Sequence, residues 1–355
     1  MRVAFIGGSV TVGDSQTELG GTSWRPDVCK YLAAKYPQLA FEWVHAGIGG
    51  TDSTYGVFRF DEHVLAKGKV DLLFLEFAVN DAGNKRSSIR AMEGIVRKAK
   101  RHNPRIAIIM MYFATEGQLP ELRKGLTPAN QRHHDAVAHH YGIPVVNLSR
   151  RVFELVDSGG AEFADLFGDT VHPNRTGNEW YARWIKSYLD VHFPSILDGT
   201  FAGDTELPDP LLADNWEYAA LLADEAIVPA GEGWVQRSDY SAEKVCNWTP
   251  PARVWESLTV GEELTITFLG RSLLLGLLVG PDCGELEVLV DGGEWKRTTL
   301  WDVYCGKFDR PKFVSLADEL PPGEHRATLR ISGASHPESS GHAIRILHAG
   351  ADVRS

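Results

Sequence analysis

The sequence predicts a doubly wound, parallel α/β layer followed by an all-β sandwich, and three observations carry that expectation. Short apolar runs at 3–6, 41–45, 70–79, 105–111 and 143–146 alternate with segments of helical spacing, as in a parallel sheet covered by helices. From about Trp234 the period changes to short β-rich runs such as LTITFLG, ELEVLVDGG and RATLRISG, separated by Gly, Pro and Asp, at intervals suited to stacked antiparallel sheets. Between them, Pro208, Pro210 and Pro229 interrupt any regular element. The boundaries implied are 1–198 for the α/β domain, 199–232 for a linker or packing segment, and 233–355 for a jelly-roll-like sandwich.

The first strand, VAFI, runs into Gly7-Gly8 and then Ser9. A residue there stands at the carboxyl end of a parallel strand, where open α/β sheets place their chemistry. The same GGS reads equally as a Gly-rich turn with a capping serine. Residues 10–21 are polar and Gly-containing, a loop expected to form one wall of a cleft. Ser23 caps a helix carrying Trp24, Val28, Tyr31 and Leu32. Gly47, Gly49 and Gly50 let the backbone pass close to a neighbour, and a helix is expected at about 54–66.

The run 70–79, broken only by Asp71 and Glu76, suits the centre of the sheet, with Asn80-Asp81 just past its end. Helices at about 88–102 and 128–141 and strands at 105–111 and 143–146 follow. Residues 113–127 are too long for a plain connection and are expected to form a lid or an oligomer contact. A last helix, 176–193, is expected to end at Pro194.

A formal net charge of −11 disfavours polyanionic partners such as nucleic acid or an anionic membrane surface, because like charges repel. A neutral or cationic small substrate is expected instead, with a homo-oligomer left open. The start MRVAFIGGS has no charged region followed by a long apolar stretch, so it reads as a strand rather than an export signal. No run reaches the roughly 20 apolar residues that span a bilayer. Cys29, Cys246, Cys283 and Cys305 show no metal-ligand spacing and read as reduced thiols. A cytoplasmic location is the expectation that follows.

Four stretches taken in order, GGSVT at 7–11, VHAGIGGT at 44–51, EFAVND at 76–81 and DTVHPN at 169–174, resemble the four blocks of the SGNH (GDSL-type) hydrolases. Ser falls in the first, Gly in the second, Asn in the third and Asp-x-x-His in the last. The resemblance spans about the first 195 residues and implies a flavodoxin-like hydrolase domain. It implies Ser9 as nucleophile, His172 as the base that takes its proton, and Asp169 as the group that holds the imidazole Nδ1–H. It implies an oxyanion hole made by the main-chain N–H groups of Ser9 and Gly50 and the side-chain amide of Asn80. Asp81 is read as a structural anchor.

The sequence departs from the family pattern in three places. Gly8 replaces the Asp of the GDS triplet, Ala78 stands where a Gly precedes x-Asn-Asp, and His45 where an Asn opens the second block. None removes an atom assigned to the chemistry. These variants resemble those of two-domain bacterial members, whose activities include carbohydrate deacetylation.

The expected function is therefore a serine carboxylesterase removing acetyl groups from short oligosaccharides, with no cofactor and no metal. Two alternatives stand beside it: a lipid or thioester acyl hydrolase, and a sugar-binding protein with an inactive hydrolase domain. Trp24, Tyr55, Phe58, Arg59 and Tyr112 are candidates for the pocket wall, and each reads equally as core. His133-His134 and His139-His140 offer a metal-ligand reading, but no second cluster supports it. A solvated or oligomer-facing helix is the expectation for that segment.

Overall fold

The structure is a computed structural model describing residues 1–13, 21–81, 83–203, 205–239 and 253–354. It divides into two compact units, Met1–Glu217 and Tyr218–Ser355.

In the first unit, β1 (Arg2–Gly7), β2 (Glu42–Gly47), β3 (Leu72–Leu75), β4 (Ala107–Tyr112) and β5 (Val145–Asn147) form one parallel sheet in the order β2-β1-β3-β4-β5. β3 and β4 are buried along their whole length, as strands covered on both faces must be. The order reverses about β1, so the crevice beyond the carboxyl ends of β1 and its two neighbours is the place such sheets offer a ligand. Register aligns those ends: Gly7 lies opposite Gly47, and Ile6 opposite both Ala46 and Leu75.

The helices are α1 (Ser9–Val12), α2 (Trp24–Lys35), α3 (Ser53–Phe58), α4 (Phe60–His63), α5 (Lys85–His102), α6 (Leu119–Arg123), α7 (Ala129–His140), α8 (Leu148–Asp157), α9 (Phe163–Leu166) and α10 (Arg175–Asp198). On one face, Val3, Phe5, Phe74 and Ile109 share a core with Trp24 and Val28 of α2 and with Tyr181, Ile185 and Leu189 of α10. Alternation along the strands turns Ala4, Ile6, Leu73 and Leu75 to the other face, where they too are buried.

Several elements differ from expectation. The long strand 70–79 stops at Leu75, because the Glu76 N–H still bonds the Ile6 carbonyl while Asn80 and Asp81 donate back to the Phe77 carbonyl and close a turn. The helix expected at 54–66 is split into α3, α4 and a 3-10 turn, Leu65–Lys67. Pro194 does not end the last helix. Phe193 and Ile196, buried on either side of it, carry α10 on to Gly199, whose left-handed φ of 80° stops it.

The expected lid, 113–127, is instead packed down. Leu119 and Leu122 of α6 cluster with Phe153 of α8, and Gln118 accepts a 2.6 Å bond from Ser149 Oγ. Of the expected cleft wall at 10–21, residues 10–12 belong to α1 and 14–20 lie outside the described residues.

The segment expected as a linker does not stand free. Its first half folds onto the first unit: the Trp216 ring packs edge-on to Phe58 and beneath the Arg90 guanidinium. Glu217 there accepts from Arg97 and Arg101. Its second half supplies two strands to the second unit, β6 (Ala219–Leu221) and β7 (Ile227–Pro229).

The other strands of that unit are β8 (Val235–Arg237), β9 (Val254–Ser257), β10 (Glu263–Leu269), β11 (Leu273–Val279), β12 (Glu285–Val290), β13 (Lys296–Thr299), β14 (Arg310–Ala317), β15 (Glu324–Ile331) and β16 (Ile344–Asp352). They form antiparallel sheets in the orders β13-β12-β15-β10-β7 and β14-β11-β16-β9-β8, with β6 also on β16. Leu264, Ile266 and Phe268 of β10 meet Leu273, Leu275 and Leu277 of β11 in their common core. Cys283 and Cys305 are buried there and unbridged, as is Cys29 in the first unit; Cys246 lies outside the described residues.

Candidate active site

Ser9 is the first residue of α1, directly after the extended Gly8 that leaves β1. Both glycines of this turn are required by close approach. A Cβ on Gly7 would lie 2.3 Å from Thr11 Oγ1, and one on Gly8 would lie 2.1 Å from Asn80 Oδ1. The missing Asp of the first block thus has a steric cause: the Asn80 amide fills the space a side chain at position 8 would take.

His172 reaches Ser9 from the loop ahead of α10. Its Nε2 is 2.8 Å from Ser9 Oγ, and its Nδ1 is 2.8 Å from Asp169 Oδ2. The other carboxylate oxygen, Oδ1, accepts from the main-chain N–H groups of Val171 and His172, each at 2.7 Å. The loop is held at its edges by Gly168 N–H on the His172 carbonyl, Glu116 N–H on the Thr170 carbonyl and the Asn174 cap on Gly177. The 113–127 segment therefore buttresses this loop.

An ionised carboxylate only accepts hydrogen bonds, so the proton of a neutral imidazole belongs on Nδ1 and the Nε2 lone pair faces Ser9 Oγ. Partial desolvation opposes ionisation of Asp169, but the His172 N–H and imidazole and the Val171 N–H outweigh it and hold the carboxyl below its ordinary range.

Asn80 follows β3, with its Oδ1 buried against Gly8. Gly50 follows β2 in an exposed turn with φ 72°, a conformation that favours glycine. The Ser9 N–H belongs to the first turn of α1, where donors have no acceptor within the helix. The three groups thus follow the ends of three adjacent strands.

Asp81, beside Asn80, is 9% exposed and accepts from Ser53 N–H and Ser53 Oγ at 2.9 Å each, from Ser88 Oγ, and from His134 Nε2 at 2.8 Å. It ties the Asn80 turn to the segment after Gly50. His134 is fully buried, so the expectation of a solvated α7 face fails for it; the carboxylate of Asp81, distant in sequence, draws it inward. Among the described residues no group of three or more His, Cys, Asp and Glu has the arrangement of a metal site.

The proposed pocket walls are not walls. Trp24, Tyr55, Phe58, Arg59 and Tyr112 are at most 1% exposed. Trp24 donates to the Val10 carbonyl and packs among Phe5, Phe74 and Phe113. Arg59 donates to the Ala46 carbonyl and Tyr112 to Asp135. Sequence reading passed over Glu76, a buried carboxyl directly beneath the Ser9 turn; the signal was one acid inside the apolar run LLFLEFAV.

Residues 5–180 match the GDSL-like lipase/acylhydrolase family. The N-terminal unit of the chain belongs to that family. The chain is accordingly a serine hydrolase of carboxylic esters. In fold it is similar to two crystal structures of a two-domain esterase active on acetylated mannans. The one co-crystallised with mannopentaose is 22% identical, covers 99% of this chain and 90% of its own, and has a TM-score of 0.80. The other is also 22% identical, with corresponding coverages of 99% and 91% and a TM-score of 0.81. No curated protein matches the chain. Among the described residues no helix is long and apolar enough to cross a membrane.

Proposed function

We propose that this member of the GDSL-like family removes acetyl groups from oligosaccharides through a Ser9–His172–Asp169 triad and an acetyl-enzyme intermediate. The observation that carries this reading is the 2.8 Å approach of His172 Nε2 to Ser9 Oγ, with Asp169 bonded to the far side of the ring. His172 takes the Ser9 proton as Oγ attacks the acetyl carbonyl. Negative charge then develops on the carbonyl oxygen, facing the N–H groups of Ser9 and Gly50 and the Asn80 amide. Collapse of the tetrahedral intermediate breaks the ester bond, and His172 returns the proton to the departing sugar oxygen. Water, deprotonated by the same imidazole, releases acetate and restores Ser9.

The openness of the site supports this substrate class. The His172 and Asp169 side chains are 51% and 57% exposed, which suits an acetyl group borne on a bulky polar sugar better than a long acyl chain, whose affinity comes from enclosure in an apolar channel. The similar fold of an esterase active on acetylated mannans supports the same reading. A test compares kcat/KM on acetylated manno-oligosaccharides with that on long-chain nitrophenyl esters. Higher values on the sugar esters support the reading, and a preference for the long acyl chains overturns it.

A further inference from the structure

Glu76 takes no part in the chemistry just described, yet it lies between two segments that do. Its side chain leaves the end of β3 and points under the Ser9 turn. Oε1 accepts from the Val79 N–H at 3.3 Å, Oε2 lies 3.5 Å from Thr11 Oγ1, and the Gly8 N–H also donates to the carboxyl. Gly8 and Thr11 flank Ser9, and Val79 precedes Asn80. The Glu76 main-chain N–H adds a fourth tie, to the Ile6 carbonyl at 3.1 Å. Above this carboxyl the Asn80 amide rests on Gly8, with no room for one further carbon.

We propose that Glu76 is a positioning residue for the esterase site: its carboxyl clamps the turn carrying Ser9 to the turn carrying Asn80 and so sets the spacing of the oxyanion donors. The inference rests on the reading of Ser9 and Asn80 given above. An isolated carboxyl is costly to bury, and this one is 1% exposed. Its surroundings oppose ionisation through desolvation first, while the Val79 and Gly8 N–H groups favour it. Three donors converging on one carboxyl from two strand ends make a joint; a hydrophobic residue of the same size fills the volume and holds neither turn. Asp81 does the corresponding work on the other side of Asn80 in the chain: Glu76 bonds the Ser9 turn, and Asp81 bonds Ser53 in the segment after Gly50.

A joint of this kind acts on the transition state rather than on substrate affinity, which separates it from mere packing. The variants are Glu76→Leu, which removes every acceptor, and Glu76→Gln, which keeps the shape and one carbonyl oxygen. Folded enzyme is counted by titrating Ser9 with a fluorophosphonate, and Ser9→Ala is assayed in parallel. Glu76→Leu is expected to lower kcat on an acetyl ester about 100-fold with KM within about threefold, the scale of losing one oxyanion donor. Glu76→Gln is expected to recover at least about a third of that loss on a logarithmic scale. Should Glu76→Leu not fold, Glu76→Gln decides alone, with kcat per fluorophosphonate-titrated site expected to fall about tenfold. A kcat within threefold of wild type in whichever variant decides, or a loss confined to KM, overturns the inference while Ser9→Ala is inactive. An active Ser9→Ala would instead overturn the reading on which it rests.

Discussion

Gly8 and Asn80 are packed so closely that a methyl group on the first would sit 2.1 Å from the amide oxygen of the second. Gly8 has φ −87°, outside the left-handed region that favours glycine, so alanine there acts first by displacing Asn80. Gly8→Ala is therefore expected to lower kcat on a short acetyl ester about 100-fold, as loss of one oxyanion donor does. Steady-state kinetics normalised to fluorophosphonate-reactive Ser9 check this.

Asp169 fixes both the tautomer of His172 and the shape of its loop, since its two oxygens accept from the imidazole and from two main-chain N–H groups. Asp169→Asn can keep the main-chain bonds but offers a donor to Nδ1, which favours the wrong tautomer. The expected result is a fall in kcat of about 10²–10⁴-fold with little change in melting temperature. Single-turnover acetylation of Ser9 reads the step directly.

Asp81 is a stability element. Removing its carboxyl leaves Ser53, Ser88 and His134 without their buried acceptor. Asp81→Ala is expected to destabilise the first unit by about 3 kcal/mol. Urea unfolding followed by the fluorescence of Trp24 and its neighbours measures it.

Glu76 gives a pH signature of the opposite sign to a surface carboxylate. Desolvation, aided by nearby Asp81 and opposed by bonds from Val79, Gly8 and Thr11, pushes its carboxyl up to about 7; Tyr181 also lies close enough to sense it. A carboxyl raised above its unfolded value near 4.5 contributes stability that is complete below that value and is lost as pH rises through about 7. Glu76→Gln does not titrate. Its melting temperature relative to wild type is expected to climb between pH 5 and pH 8, and a flat difference would contradict the assignment.

Much of this site was legible in the chain. The apolar runs 3–6, 41–45 and 70–79 marked three strands, though the third stops short at Leu75, and parallel pairing brings Ser9, Gly50 and Asn80 to neighbouring positions because β1 lies between β2 and β3. Asp169 and His172 were legible because three residues of chain keep them together. What escaped was long-range and polar. Nothing local to His134 says that it points inward; Asp81, far along the chain, decides it. Trp24, Tyr55, Arg59 and Tyr112 have polar atoms that suggest a cleft, but each finds a buried partner or aromatic neighbour within the fold. Pro194 looked like a helix end because its own geometry opposes a helix, whereas the buried Phe193 and Ile196 beside it outweigh one lost hydrogen bond.

The most direct test is acetate release from an acetylated manno-oligosaccharide by Ser9→Ala and by wild-type protein at equal folded concentration. The account predicts a fall of at least about 10³-fold in the variant, with sugar binding retained. Acetate release by Ser9→Ala at the wild-type rate would contradict it.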